Sequence, residues 1–261
     1  MYKILFPEAN NEYIQAAATT LKEQGSCEPV LETLDCVTAG QKLADGVADA
    51  MVAGVDFSSR DVILACRDQI GVAGQTNPEE RKTFSSLFVA DFPDGRRFIV
   101  SDGATCKNPT AAQLADIVIL VHAAAKKLLD DEPRIAMLSF STFGSGGKDP
   151  SMDKIAETIH IVRERDPSIK LDGEMQLDAA VNPRIGAKKA PQGSEVAGHA
   201  NVLITPDITS GNILYKSLEQ FAGAKLAGPI LLGFNKPVSD LSRGSTPEDI
   251  VFTTECLIKL I

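Results

Sequence analysis

The sequence predicts an α/β fold built on mainly parallel, helix-flanked sheets, and three observations carry that prediction. Short apolar runs of strand length alternate with helical stretches from the first residues onward. Two β-rich runs near the middle of the chain form the one antiparallel signal in this pattern. The 261 residues, 44% hydrophobic and 23% charged, have an ordinary globular composition and can bury a sizeable core.

Taken in order, residues 3–6 read as a strand, 12–22 as a helix, 29–34 as a strand, and a second helix follows that reaches about residue 52. In Ala53-Gly54-Val55-Asp56-Phe57-Ser58-Ser59-Arg60-Asp61, small hydroxyl residues precede the helical pattern of 62–66. Residues 71–80 are a candidate linker. Residues 85–92 and 97–100, joined through Pro93-Asp94-Gly95, form a hairpin, with a domain boundary just before it. Asn108 as cap and Pro109 at the first helical position begin a helix that continues to about Leu129. Its apolar stretch 115–125 contains Asp116 and His122 and is far shorter than the roughly 20 residues of a membrane span, so it reads as a buried core helix. Residues 135–140 form a central strand that runs into Ser141-Thr142-Phe143-Gly144-Ser145-Gly146-Gly147 before a helix at 153–163. That loop is a phosphate cradle or, equally, a plain β-to-α turn. Residues 191–198 are a second candidate linker. Gly228 and Gly233 bracket Pro229-Ile230-Leu231-Leu232, a buried strand delivering residues 235–243 into a loop at its carboxyl end, where α/β sheets bind ligands.

The net charge of −9 disfavours nucleic acid and anionic membrane as partners. A small polyanion would need local cations, and Lys188, Lys189, Lys216, Lys236 and Arg243 are the candidates; Lys188 and Lys189 read equally as solvated charge. Five scattered cysteines without a C-x-x-C pair suggest neither a disulfide framework nor zinc, and hence a reducing compartment. The N-terminal residues show no signal peptide pattern, so a cytoplasmic location is expected. His122, His160 and His199 lack metal-ligand spacing; no metal and no cofactor are expected.

The segment Asn235-Lys236-Pro237-Val238-Ser239-Asp240-Leu241-Ser242-Arg243-Gly244, with Asp249 beyond it, sets a hydroxyl, a guanidinium and a carboxylate close together. With Asp172-Gly173-Glu174-Met175-Gln176-Leu177-Asp178-Ala179-Ala180, Val196-Ala197-Gly198-His199-Ala200-Asn201-Val202-Leu203, Pro206-Asp207 and Gly211-Asn212-Ile213-Leu214-Tyr215-Lys216, it resembles the phosphate acetyltransferase and phosphate butyryltransferase family. The resemblance is close over residues 136–250 and weak before about residue 45. It implies two α/β domains with an active-site cleft between them, residues 1–73 plus 236–261 forming the first and 74–235 the second, in a homodimer.

The resemblance further implies transfer of an acyl group between phosphate and coenzyme A, the latter as a substrate. Asp249 would be the base on the thiol, Arg243 the clamp for phosphate and transition-state charge, and Ser242 a positioning donor. Ser58, Ser59 and Arg60 would contact phosphate, with Lys236 nearby, and Asn212, Tyr215 and Lys216 would lie along the nucleotide end of coenzyme A. Each has a plainer reading. Thr246-Pro247-Glu248-Asp249 is a good helix start, Ser58 and Ser59 are capping residues, and Tyr215 suits a core. An aspartate near ~3.9 facing a thiol near ~8.5 is mismatched by roughly 6 kcal/mol, so its surroundings must narrow the gap.

The sequence departs from the acetyl-transferring pattern where an arginine is expected but Leu64 stands, so Arg60 or Arg67 would have to substitute. A second expected arginine is Gln220, where the sequence looks more like the butyryl-transferring branch. The alternative function is therefore a noncatalytic relative that binds coenzyme A or an acyl phosphate. An oxidoreductase is disfavoured because no G-x-G-x-x-G segment opens a helix.

Overall fold

Alternation of strand and helix runs the length of the chain in the computed structural model, which describes residues 1–76 and 82–261. In chain order the elements are β1 (Lys3–Phe6), α1 (Glu12–Glu23), β2 (Glu28–Leu31), α2 (Cys36–Ala44), β3 (Ala50–Ala53), α3 (Ser59–Ala65), β4 (Ser85–Asp91), β5 (Arg97–Ser101), α4 (Ala111–Leu128), β6 (Ile135–Leu138) and α5 (Pro150–Arg165). They continue with β7 (Leu171–Met175), α6 (Leu177–Val181), α7 (Pro183–Lys189), β8 (Val202–Ile204), α8 (Ile208–Ala222), β9 (Lys225–Leu232), β10 (Val238–Asp240) and α9 (Pro247–Ile258). A π-helical turn, Cys66–Ile70, extends α3.

The chain divides into two compact units, Met1–Ser86 with Lys225–Ile261, and Leu87–Ala224. β9, which the sequence reading assigns to the second domain, lies in the first unit. Residues 77–80 of the candidate linker lie outside the described residues.

In the first unit β1 pairs in parallel with β2 and β3, and β3 in parallel with β10; β9 runs antiparallel to β10. Strands covered on both faces read as continuous apolar runs: Ile4, Leu5 and Phe6 are fully buried, as is nearly all of Ala50–Ala53. The helix expected to reach residue 52 instead ends at Ala44. Gly46, at φ 79°, turns the chain while Val47 N–H closes on the Lys42 carbonyl, and Ala50–Ala53 becomes a strand. Four small apolar residues carry no period of their own, so the neighbouring strands decide their state. α1 is capped by Asn11 and buries Ile14, Ala17, Ala18 and Leu21, one helical stripe; α9 packs against α1 and β9.

In the second unit β4 and β5 form the expected antiparallel hairpin, and β5, β8, β6 and β7 follow in parallel pairs. α4 is the expected core helix, burying Leu114, Ile117, Val118 and Val121. It begins later than Asn108-Pro109 predicts. Thr110 Oγ1 accepts from Gln113 N–H while Gln113 Oε1 accepts from Thr110 N–H, and this reciprocal pair outcompetes a lone Asn cap. Among the described residues no helix is long and apolar enough to cross a membrane.

Candidate active site

Two loops leave the sheet of the first unit at one edge. Because β3 and β10 are parallel, with Asp240 opposite Ala53, the chain after Ala53 and the chain after Asp240 emerge side by side. Leu241 N–H donates to the Ala53 carbonyl at 2.5 Å and ties the two exits together. Ser58, Ser59 and Arg60 thus share one sheet edge with Ser242 and Arg243. The expected loop over 235–243 is interrupted: residues 238–240 are a strand, and the free loop begins at Leu241. Gly54 permits this close approach. Its φ is +113°, and a Cβ there would lie 2.6 Å from both Asp240 Oδ1 and Leu241 N.

Arg60 and Arg243 are exposed and make no hydrogen bond or ion pair among the described residues, whereas Arg67 is tied to Asp68 at 2.7 Å. Of the two arginines considered as substitutes for Leu64, Arg60 is the uncommitted one. Leu64 lines a cavity of about 470 Å³ with Asp35, Asp61 and Asp68, an acidic wall that suits no anion. Ser58 caps α3: its hydroxyl accepts from Asp61 N–H at 3.2 Å and donates to Asp61 Oδ2 at 2.7 Å. Lys236 is half-buried and likewise has no partner among the described residues.

Asp249 occupies the third position of α9 in a capping box. Its Oδ2 accepts from Thr246 N–H at 2.9 Å and Thr246 Oγ1 at 2.8 Å, and Thr246 Oγ1 accepts from Asp249 N–H at 3.3 Å. The capping arrangement is therefore present, and Oδ1 takes no part in it.

Neither backbone cradle suggested by the sequence is open. The amides of Gly54 and Val55 donate to Glu8 Oε2 at 2.8 and 3.3 Å, and those of Asp56 and Phe57 to Glu8 Oε1 at 2.6 and 2.9 Å. Glu8 is only 5% exposed and acts as an internal anion. In the second unit, Glu174 Oε1 accepts from Gly144 N–H at 2.7 Å and Ser141 Oγ at 2.8 Å, while Gly146 N–H donates to Ser141 Oγ. The 141–147 loop is a turn stabilised from within. Nothing in the sequence alone marks Glu8; Glu174 stands inside a quoted motif, but its task was not legible there.

Asn212, Tyr215 and Lys216 lie on α8 in the second unit. Tyr215 stacks on Phe88 with ring centroids 3.8 Å apart, so the core reading of its ring holds, while its hydroxyl accepts from Asn212 Nδ2 at 3.3 Å. Asn212 Nδ2 also donates to the Gly103 carbonyl at 3.2 Å, and Lys216 Nζ sits 5.1 Å over the Tyr215 ring. Lys189 is bound to Asp178 at 3.0 Å. His160 sits on the surface of α5 beside Glu164, and no cluster that could hold a metal occurs among the described residues.

The sequence reading missed Asp240. It is 1% exposed, and among the described residues neither carboxylate oxygen has a hydrogen-bond partner. Burial pushes its pKa up to about 6, with the nearby Ser59 hydroxyl opposing and the Glu8 charge adding to the rise. The one signal available was an acid ending an apolar strand, Val238-Ser239-Asp240. Because the folded pKa lies above the unfolded one, near ~3.9, the ionised form costs stability as pH rises through this window, by about 3 kcal/mol once fully ionised. The urea-derived stability of Asp240→Asn relative to wild type should therefore improve by about 2 kcal/mol between pH 4 and pH 7.5. An unchanged difference across that range would mean Asp240 is solvated or paired in solution.

Residues 32–257 match the family model described as "Phosphate acetyl/butaryl transferase". The chain is 43% identical over 218 residues to a phosphate acetyltransferase of Clostridium acetobutylicum, covering 82% of this chain and 63% of that protein. To the phosphate acetyltransferase of Acetivibrio thermocellus it is 37% identical over 254 residues, 93% of this chain and 74% of the relative. The crystal structure of a phosphotransacetylase from Streptococcus pyogenes superposes with a TM-score of 0.87 at 33% identity, over 99% of this chain and 93% of that one. The chain spans less than two thirds of the length of several such relatives, 63% and 66% in two cases. With the family model covering most of its length, this chain belongs to the phosphate acetyl/butyryl transferase family.

Proposed function

We propose that the chain is a phosphate acyltransferase that interconverts acyl-coenzyme A plus phosphate with acyl phosphate plus coenzyme A, with acetyl as its group. The observation that carries this reading is the parallel exit of β3 and β10, which sets two uncommitted arginines, Arg60 and Arg243, and three hydroxyls, Ser58, Ser59 and Ser242, at one sheet edge. A cationic, hydroxyl-rich edge in a protein of net charge −9 is where a phosphate dianion gains most.

In the direction that forms acyl-coenzyme A from acyl phosphate, coenzyme A gives its thiol proton to Asp249 as sulfur attacks the acyl carbon. The carbonyl electrons move to oxygen, the C–S bond forms, and collapse breaks the C–O bond to release phosphate. In the reverse direction phosphate oxygen attacks and Asp249 returns the proton to the departing sulfur. Arg243, with Arg60 and Lys236, holds the phosphate charge; Ser242 and the hydroxyls of Ser58 and Ser59 orient it. Asn212, Tyr215 and Lys216 receive the nucleotide end of coenzyme A, and the stacked, hydrogen-bonded Tyr215 gives them a rigid base. The two compact units are proposed as the two domains of a cytoplasmic homodimer that needs neither metal nor cofactor. Arg60 and Arg243, without partners among the described residues, supply the cations whose loss motivated the noncatalytic alternative.

The test is release of free thiol from acetyl-, propionyl- and butyryl-coenzyme A with excess phosphate. Wild type should release thiol fastest from the acetyl substrate. Arg243→Ala should be slower by about 10- to 100-fold at low phosphate, the loss of one or two charge-assisted hydrogen bonds. Folded protein that releases no thiol from any of the three would overturn the reading.

A further inference from the structure

Asp240 lies directly beneath the edge assigned to phosphate, and this inference rests on that assignment. Its carboxyl faces Gly54, 2.6 Å from where a Cβ would stand, and is shut off from solvent with both oxygens unpartnered. Among the described residues, the side chains buried around it offer no countercharge. The turn after β1 contributes Glu8, already saturated by four amides. α3 contributes Ser59, followed by exposed Arg60 and Asp61; α2 and the turn after α3 contribute the thiols of Cys36 and Cys66, both pushed up to about 12 by burial and the surrounding carboxylates. β3 brings apolar side chains alone, the part of β9 facing β10 is Ile230 and Leu231, and α9 adds Glu248, Asp249 and Glu255. For a buried carboxyl with acids on several sides and, among the described residues, no buried cation, a proton is the neutralising partner.

We propose that Asp240 is the proton-holding residue of this anion site, taking up a proton from solvent when phosphate binds at the Ser59 and Ser242-Arg243 edge and returning it when phosphate leaves. The arriving dianion adds negative charge at the edge above Asp240, so the neutral carboxyl is favoured. Its pKa, already raised to about 6 by burial, places the change within the working range of an enzyme at neutral pH. Asp240 touches no substrate; it is a positioning residue that lowers the electrostatic cost of holding phosphate in an acidic protein.

Sulfate is the probe, because it is a dianion that does not titrate between pH 6 and pH 8. Calorimetric titration near pH 7 in two buffers of different ionisation enthalpy should show uptake of about 0.3 to 0.6 proton per sulfate, and binding should weaken about 2- to 4-fold per pH unit. Phosphate should displace the sulfate and Arg243→Ala should abolish its binding, which locates it. In Asp240→Asn, sulfate should still bind, but with uptake near zero and affinity flat with pH. Sulfate bound by wild type without proton uptake, or with the same uptake in Asp240→Asn, overturns the proposal and leaves the phosphate site standing. Absence of binding by sulfate and phosphate alike overturns both.

Discussion

Asp249→Asn is expected to lower phosphate-dependent thiol release by about 10²- to 10⁴-fold, the range for loss of a positioned general base, while the protein remains folded. The asparagine keeps a carbonyl oxygen that can accept from Thr246 N–H and Oγ1, as Asp249 Oδ2 does, so α9 keeps its cap. On the proposed mechanism, what it loses is the ability to carry the proton that coenzyme A sulfur gives up in one direction and regains in the other. Asp249→Ala separates the two roles from the other side, losing the cap as well at a cost of about 1 kcal/mol. If Asp249→Asn turns over like wild type while Asp249→Ala is merely less stable, the residue is a cap alone. Measured in the opposite direction, as acyl-coenzyme A formed from acyl phosphate and coenzyme A, Asp249→Asn should be partly restored by raising the pH, because solvent then supplies thiolate and the base is less needed.

Glu8→Ala should cost about 3 to 5 kcal/mol of stability, since four backbone amides, two of them in buried hydrogen bonds, lose a charged acceptor. For a chain of this size that is a fall in Tm of roughly 8 to 16 °C. The emptied cradle is an anion nest, so sulfate at tens of millimolar should recover part of the loss in Glu8→Ala and little in wild type. A Tm within about 2 °C of wild type would show that the loop after β3 is held by other means.

Both internal anions illustrate where the sequence stops being legible. The Gly-rich run before α5 and the Gly-hydroxyl run before α3 have the composition of phosphate loops, yet each is occupied by a glutamate distant in sequence: Glu174 lies 30 residues from Gly144, and Glu8 lies 46 residues from Gly54. No local pattern encodes a partner at that range. The start of α4 is the opposite case. Thr110 and Gln113 stand three apart, a capping box visible in the sequence, and Asn108-Pro109 was a competing local signal that lost to two reciprocal hydrogen bonds.

By itself the sequence determined the α/β alternation, the hairpin of β4 and β5, the core role of α4, the cap at Thr246 and the motifs that mark the family. All of these follow from local periodicity, turn chemistry or a contiguous pattern of residues. Tertiary structure alone decided that Ala50–Ala53 is a strand, that both candidate cradles are filled by the protein's own carboxylates, and that among the described residues Arg60 is free while Arg67 is not and Asp240 is buried without a partner. The physical reason is common to all four. A strand's partners and a charge's partners are set by which distant segments the sheet brings together, and the energy of burying a polar group depends on that neighbourhood rather than on its position in the chain.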